Sequence, residues 1–200
     1  MHHNNHRGFY ALRAGLLAIG SGRVQFNNVQ YISGVLAPKP LYRDPVYDGA
    51  ADPVVIWNPI EEKWWMFYTN RRATETSLPG VSWVFKTPIG IAESVDGANW
   101  DYVGIANFSS LPPEMGGDNA TLWAPDVVYD GNGTWHMYLS IQAGVAERWD
   151  KVPGYIAHLT SNNLRDWKSV RSFDLPVGSY DADVIKMPDG IWRLYYKDPA

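Results

Sequence analysis

Along residues 52–70, "DPVVIWNPIEEKWWMFYTN", a branched apolar run breaks at a polar turn and resumes as a strand-like run of aromatics. The same order returns in "PDVVYDGNGTWHMYLSI" (125–141) and in "DADVIKMPDGIWRLYYKD" (181–198). Apolar runs of period two, bounded by Asn, Asp, Gly or Pro, predict paired strands joined by tight turns, so each stretch reads as a hairpin. A second pattern follows the first two hairpins: "IGIAESVDGANWDYVG" (89–104) and "GYIAHLTSNNLRDWKSV" (154–170). Both carry Ile-Ala, then a serine, then a tryptophan six positions on, from Ser94 to Trp100 and from Ser161 to Trp167. Four strands therefore make one unit, and the chain reads as unit, unit, half unit.

Four-stranded antiparallel units repeated along a chain predict an all-β fold of the β-propeller type, in which blades pack face to face around an axis. A β-sandwich competes, but it does not require an acid at the start of successive units. The spacing puts blades at 48–106 and 120–175 and an incomplete one at 178–200, after an N-terminal, partly irregular arm at 1–47. Within the arm, "RVQFNNVQYISGVL" (23–36) alternates enough for a strand or two.

Composition narrows the chemistry. Two hundred residues at 46% hydrophobic content can build one sizeable core. A net charge of −4 gives no basic footprint and argues against nucleic acid as partner. Without cysteine there is no disulfide scaffold, thiolate nucleophile or thiolate metal site. No run reaches the length of a membrane span, and "ALRAGLLAIG" (11–20) is broken by Arg13, so an irregular arm is the better reading than a cleaved signal. Nothing fixes the compartment. His2, His3 and His6 read as a disordered tail before a metal site. Ten Trp and 12 Tyr against 6 Phe mostly fill a β-rich core on this reading, and a few left over at loop ends would form a sugar-stacking surface.

Taken in order, "ADPVVIW" (51–57), "SVDGANW" (94–100), "WAPDVVY" (123–129) and "YDADVIKMPDG" (180–190) resemble the five-bladed glycoside hydrolases of family 43 and their relatives. The resemblance covers about residues 48–198, or some two and a half blades. It implies cleavage of arabinose- or xylose-containing glycosides with inversion, by a base that activates water and an acid that protonates the leaving oxygen. By motif, Asp52 matches the general base, and Asp181 matches the carboxylate that tunes the acid, with Asp183 as its rival on the same strand face. Trp123 is expected as a sugar platform, and Asp126, placed at the position equivalent to Asp52, as a substrate ligand. Arg72 is a further substrate-binding candidate, with a solvated loop as the plain alternative. His136 and His158 read as packed histidines.

The resemblance also implies a glutamate acid in the fourth blade, in a Glu-Gly-Pro setting, and no such motif occurs. The chain is therefore expected to be the N-terminal portion of a hydrolase, inactive alone, with open blade edges that self-associate. A non-catalytic sugar-binding propeller is the alternative. The partner expected is an oligosaccharide or polysaccharide. No cofactor is called for, though a complete propeller leaves room for a central divalent cation such as calcium.

Overall fold

The computed structural model describes residues 38–70, 77, 79–109, 111, 113–148 and 151–198. The strands are β1 (Ala51–Asn58), β2 (Lys63–Thr69), β3 (Ile89–Ser94), β4 (Asp101–Ile105), β5 (Asn107–Ser109), β6 (Ala120–Tyr129), β7 (Trp135–Ala143), β8 (Gly154–Ser161), β9 (Asp166–Ser172), β10 (Tyr180–Lys186) and β11 (Trp192–Lys197). They form a four-stranded sheet β1-β2-β3-β4, a five-stranded sheet β5-β9-β8-β7-β6 and the hairpin β10-β11. The innermost strands are neighbours, β6 packing against both β1 and β10. These are two blades and the opening hairpin of a third, the propeller type that the repeat predicts.

The second blade has one strand more than expected. From β4 the chain crosses directly to the next sheet, where the Asn107 amide donates to the Arg165 carbonyl and β5 runs parallel to β9. This short strand covers the outer edge of the second blade, which would otherwise present an unpaired ladder.

Local chemistry explains the turns. Between β3 and β4, Ser94 Oγ accepts the amides of Asp96 and Gly97, while Asp96 Oδ1 accepts those of Ala98 and Asn99. Between β8 and β9, Ser161 Oγ accepts the amides of Asn163 and Leu164, and Asn163 Oδ1 those of Arg165 and Asp166. The two turns match bond for bond, with acid and amide exchanged: Asn99 Nδ2 donates to Asp96 in one, Asn163 Nδ2 to Asp166 in the other. Both put the third residue after the turn serine in the left-handed region, Gly97 at φ 73° and Leu164 at 63°.

The main core fills the space between the first two blades. Trp65, Phe67, Ile89 and Ile91 from one side meet Leu122, Val127, Trp135, Met137, Leu159 and Trp167 from the other. Phe67 meets Trp167 edge-on at 5.8 Å, a favoured aromatic geometry. A smaller cluster of Met66, Tyr68 and Ala92 lies on the opposite face of the first blade, against Tyr42 and Trp100. Among the described residues no helix is long and apolar enough to cross a membrane.

Candidate active site

Each innermost strand carries the same irregularity. Pairing of β1 with β2 breaks between Ala51 and Val54, of β6 with β7 between Trp123 and Asp126, and of β10 with β11 between Tyr180 and Asp183. At the residue after each break the backbone turns left-handed: Asp52 at φ 48°, Ala124 at 41° and Asp181 at 54°. Such bulges re-aim side chains and terminate pairing. Asp tolerates this region better than most residues, whereas Ala124 is there because the surroundings dictate it.

This periodicity corrects one reading of the sequence. Asp126 is not the equivalent of Asp52. The bulge aligns Asp52 with Ala124 and Asp181, and aligns Val54 with Asp126 and Asp183. The prolines, Pro53 and Pro125, share a position; the acids slide by two residues along the strand.

The three bulges meet at one cleft of about 300 Å³, lined by Asp52, Pro53, Val54, Ala124, Asp126, Asp181 and Asp183 with their neighbours. Four carboxylates thus come from three strands that are far apart in sequence. Asp52, Asp181 and Asp183 are exposed, while Asp126 is partly buried. Asp126 Oδ2 accepts the Val184 amide at 2.7 Å, tying the second blade to the third. Burial pushes the Asp126 carboxyl up to about 6, with repulsion from Asp183 adding to it and the Val184 amide opposing. The Lys197 ammonium lies over the Tyr180 ring at 4.8 Å, and Asp181 is among the charges that hold its pKa up, after Tyr180 itself.

The remaining candidates separate clearly. Trp123 does not line the cleft; its indole N–H donates to the Val84 carbonyl and its ring packs against Phe85 at 5.7 Å. Arg72, like the N-terminal histidines and the stretch 23–36, lies outside the described residues. Asn70 is buried, with Nδ2 donating to Asp44 Oδ2 at 3.4 Å. Asp44, which also directly precedes a proline, is likewise buried. It accepts the amides of Val46 and Tyr47 and the Tyr68 hydroxyl, which marks it as a turn former. Burial, with the Asp44 and Tyr42 hydrogen bonds, drives the Tyr68 hydroxyl far above its usual range. His136 and His158 stack at 5.1 Å with Nδ1 and Nε2 2.8 Å apart. Burial first, then the neighbouring charges of His136 and Arg171, lower His158 to about 4.

Sequence reasoning missed Thr69 and Ser140. Thr69 Oγ1 accepts the Ala124 amide at 2.8 Å and Ser140 Oγ accepts the Asp181 amide at 2.9 Å. A lone hydroxyl within an apolar strand carries no spacing signature, and only the register reveals it. Among the described residues no group of three or more His, Asp or Glu side chains is arranged to hold a metal ion.

No family model matches the chain, and no curated protein matches it. Solved structures do. Zg3597, a family 117 glycoside hydrolase from the marine bacterium Zobellia galactanivorans, superposes with a TM-score of 0.56 at 21% identity, over 74% of this chain and 47% of that one. An N-acetylgalactosamine deacetylase from F. plautii, solved with blood group B trisaccharide, gives 0.56 at 15% identity, over 74% and 40%. A thermostable family-43 glycoside hydrolase gives 0.52 at 22% identity, over 78% and 44%. The chain spans less than half the length of each. At these identities the likeness is one of fold, that of the five-bladed propellers to which the family 43 and 117 enzymes belong. The deacetylase is a reminder that fold does not name the reaction.

Proposed function

We propose that the acidic cleft is the sugar site of a glycoside-hydrolase-type propeller acting on arabinose- or xylose-type glycosides by inversion. The observation that carries this reading is the convergence of Asp52, Asp126, Asp181 and Asp183 at the mouth of three successive blades. Inversion needs two carboxyl groups held ~6.5–9.5 Å apart with a water between them, and rigid neighbouring strands are suited to hold such a gap. Asp52, exposed at the bulge of the first blade, is assigned as the base; Asp181, at the same bulge of the third, tunes and orients. Asp183 lines the cleft as a substrate ligand. Asp126, whose carboxylate already holds the Val184 amide, is assigned to the frame.

No glutamate lines the cleft among the described residues. Cleavage would therefore draw its acid from a further blade, and the second reading is sugar binding without cleavage. Titration calorimetry and product NMR with xylo- and arabino-oligosaccharides separate the two. As a hydrolase, the complete five-bladed form turns substrate over with an inverted product anomer, and Asp52→Asn in that form loses about 10²- to 10⁴-fold in rate while binding is largely retained. As a binder, even the complete form shows no turnover, and Asp183→Ala weakens affinity. Wild-type turnover in Asp52→Asn removes the assigned base.

The third hairpin leaves Ile185, Ile191, Trp192, Tyr195 and Tyr196 exposed. Exposed apolar residues on such a hairpin invite association, so the chain is proposed to self-associate. Sedimentation velocity across a concentration series checks this, and a concentration-independent monomer refutes it.

A further inference from the structure

Two hydroxyls of successive blades occupy one structural position. Thr69 pairs with Ala51 across β1 and β2, and Ser140 pairs with Trp123 across β6 and β7. Each partner is the residue just before its own blade's bulge. Yet each hydroxyl serves the following blade: Thr69 takes the amide of Ala124, and Ser140 that of Asp181, the left-handed residues of the next two bulges. Thr69 and Ser140 are both buried. Ser140 is further fixed by pairing with Trp123 on one side and Ile156 on the other.

A bulge takes its extra residue out of the ladder, and an amide removed from a ladder needs another acceptor. A left-handed non-glycine residue is also strained, and it persists only where its surroundings hold it there. One hydroxyl answers both demands. Beyond the bulge, Asp126 accepts the Val184 amide, so the segment that presents Asp181 and Asp183 is held at two points by side chains of the second blade. In the third blade the same position is Lys197, paired with Tyr180, and it carries a cation beside Asp181 in place of a hydroxyl.

We propose that Thr69 and Ser140 are positioning residues, a repeated latch by which each blade's second strand fixes the bulge of the next, and that Ser140 thereby aims the Asp181 carboxylate into the cleft. The latch stands on geometry alone; only its consequence for sugars rests on the proposed function.

The test uses the isotope-labelled full chain and two NMR readouts. In Ser140→Ala, amide exchange at Asp181 rises about fivefold to tenfold while that at Ala124 stays within about twofold, as loss of one hydrogen bond requires. Thr69→Ala gives the mirror image, and Ser140→Thr restores the wild-type rate at Asp181. The Asp181 side-chain carboxyl resonance moves in Ser140→Ala and returns in Ser140→Thr, a response that general loosening would not produce. Equal acceleration at both amides, or an unmoved Asp181 carboxyl, overturns the proposal. If Ser140→Ala fails to fold, Thr69→Ala decides the same question at Ala124. Binding of a xylo-oligosaccharide then separates the claims. Should Asp181→Asn alter affinity and Ser140→Ala leave it unchanged, the aiming role falls and the sugar reading stands. Should no cleft variant alter it, the sugar reading falls while exchange still decides the latch.

Discussion

The first two blades are alike at one end and unlike at the other. Away from the cleft, the turns after Ser94 and Ser161 reproduce each other's hydrogen bonds with the acid and amide transposed. At the cleft the backbone is again the same, a bulge with one left-handed residue, but the side chains differ. The first blade places Asp52 at the left-handed position and Val54 two residues later; the second places Ala124 and then Asp126. Where a turn must be closed, local hydrogen bonding restricts which residues will serve. Where a strand merely faces the cleft, the backbone is held from outside and the side chain is free to change. The repeat thus conserves conformation at both ends and chemistry at only one.

The largest expected difference between the blades lies in their paired tryptophans. Trp167 is fully buried in the main core against Phe67, whereas Trp100 is half-buried in the smaller cluster and ties its indole N–H to the Gly97 carbonyl. Trp167→Ala should cost about 3–5 kcal/mol in urea unfolding, and Trp100→Ala about 2 kcal/mol, in proportion to the apolar surface each removes from water. Equal losses would mean that the smaller cluster stabilises the blade as much as the core does.

Next comes the position that Val54 and Asp126 share. Burial raises the folded-state carboxyl of Asp126 from 3.8 to about 6, so the protonated form is the one the fold favours. Its contribution is complete below the unfolded value and is lost as pH rises through about 6. After discounting for solvent screening, the change is of order 1–2 kcal/mol. Asp126→Asn keeps an acceptor for the Val184 amide and removes the titration. Denaturant unfolding at pH 5 and pH 7 should therefore show Asp126→Asn gaining on wild type at the higher pH. A constant offset between the two would place the burden on another group.

The parts legible in the sequence are those governed by residues close together along it. The four-strand unit and the serine-to-tryptophan turns could be read because an Asx-type turn and a period-two strand each declare themselves within a few positions. The bulge register could not. Matching Asp52 to Asp126 aligned the acids that begin each apolar run, whereas Pro53 and Pro125 mark the true alignment. β5 went unseen because Asn107–Ser109 is too short for any periodicity to show. Ser140 and Thr69 went unseen because their partners lie 41 and 55 residues away.

The smallest effect expected is the most direct check on the likeness of the two turns. In the first, Asp96 accepts the amides of Ala98 and Asn99 together with Asn99 Nδ2, and these bonds hold its carboxyl well below the usual range. In the second, the acid stands three positions on: Asp166 is lowered by the side chains of Asn107 and Asn163. Each acid therefore contributes stability that is present above the ordinary carboxylate pKa and is lost as pH falls through its depressed folded value. Asp96→Asn with Asn99→Asp would give the first turn the second turn's arrangement. Because every bond of that arrangement already exists at 161–166, the double variant should melt where wild type does at pH 7, in a calorimetric scan. Asp96→Asn alone should melt slightly lower and lose part of the wild-type sensitivity to acid, since it sets two amides face to face and removes a titrating group. The asymmetry to watch for comes from Asn107, which donates to Asp166 from β5 and has no described counterpart at the first turn. A double variant that melts below the single one would show that the second turn depends on β5, and that the two turns are equivalent in shape but not in what supports them.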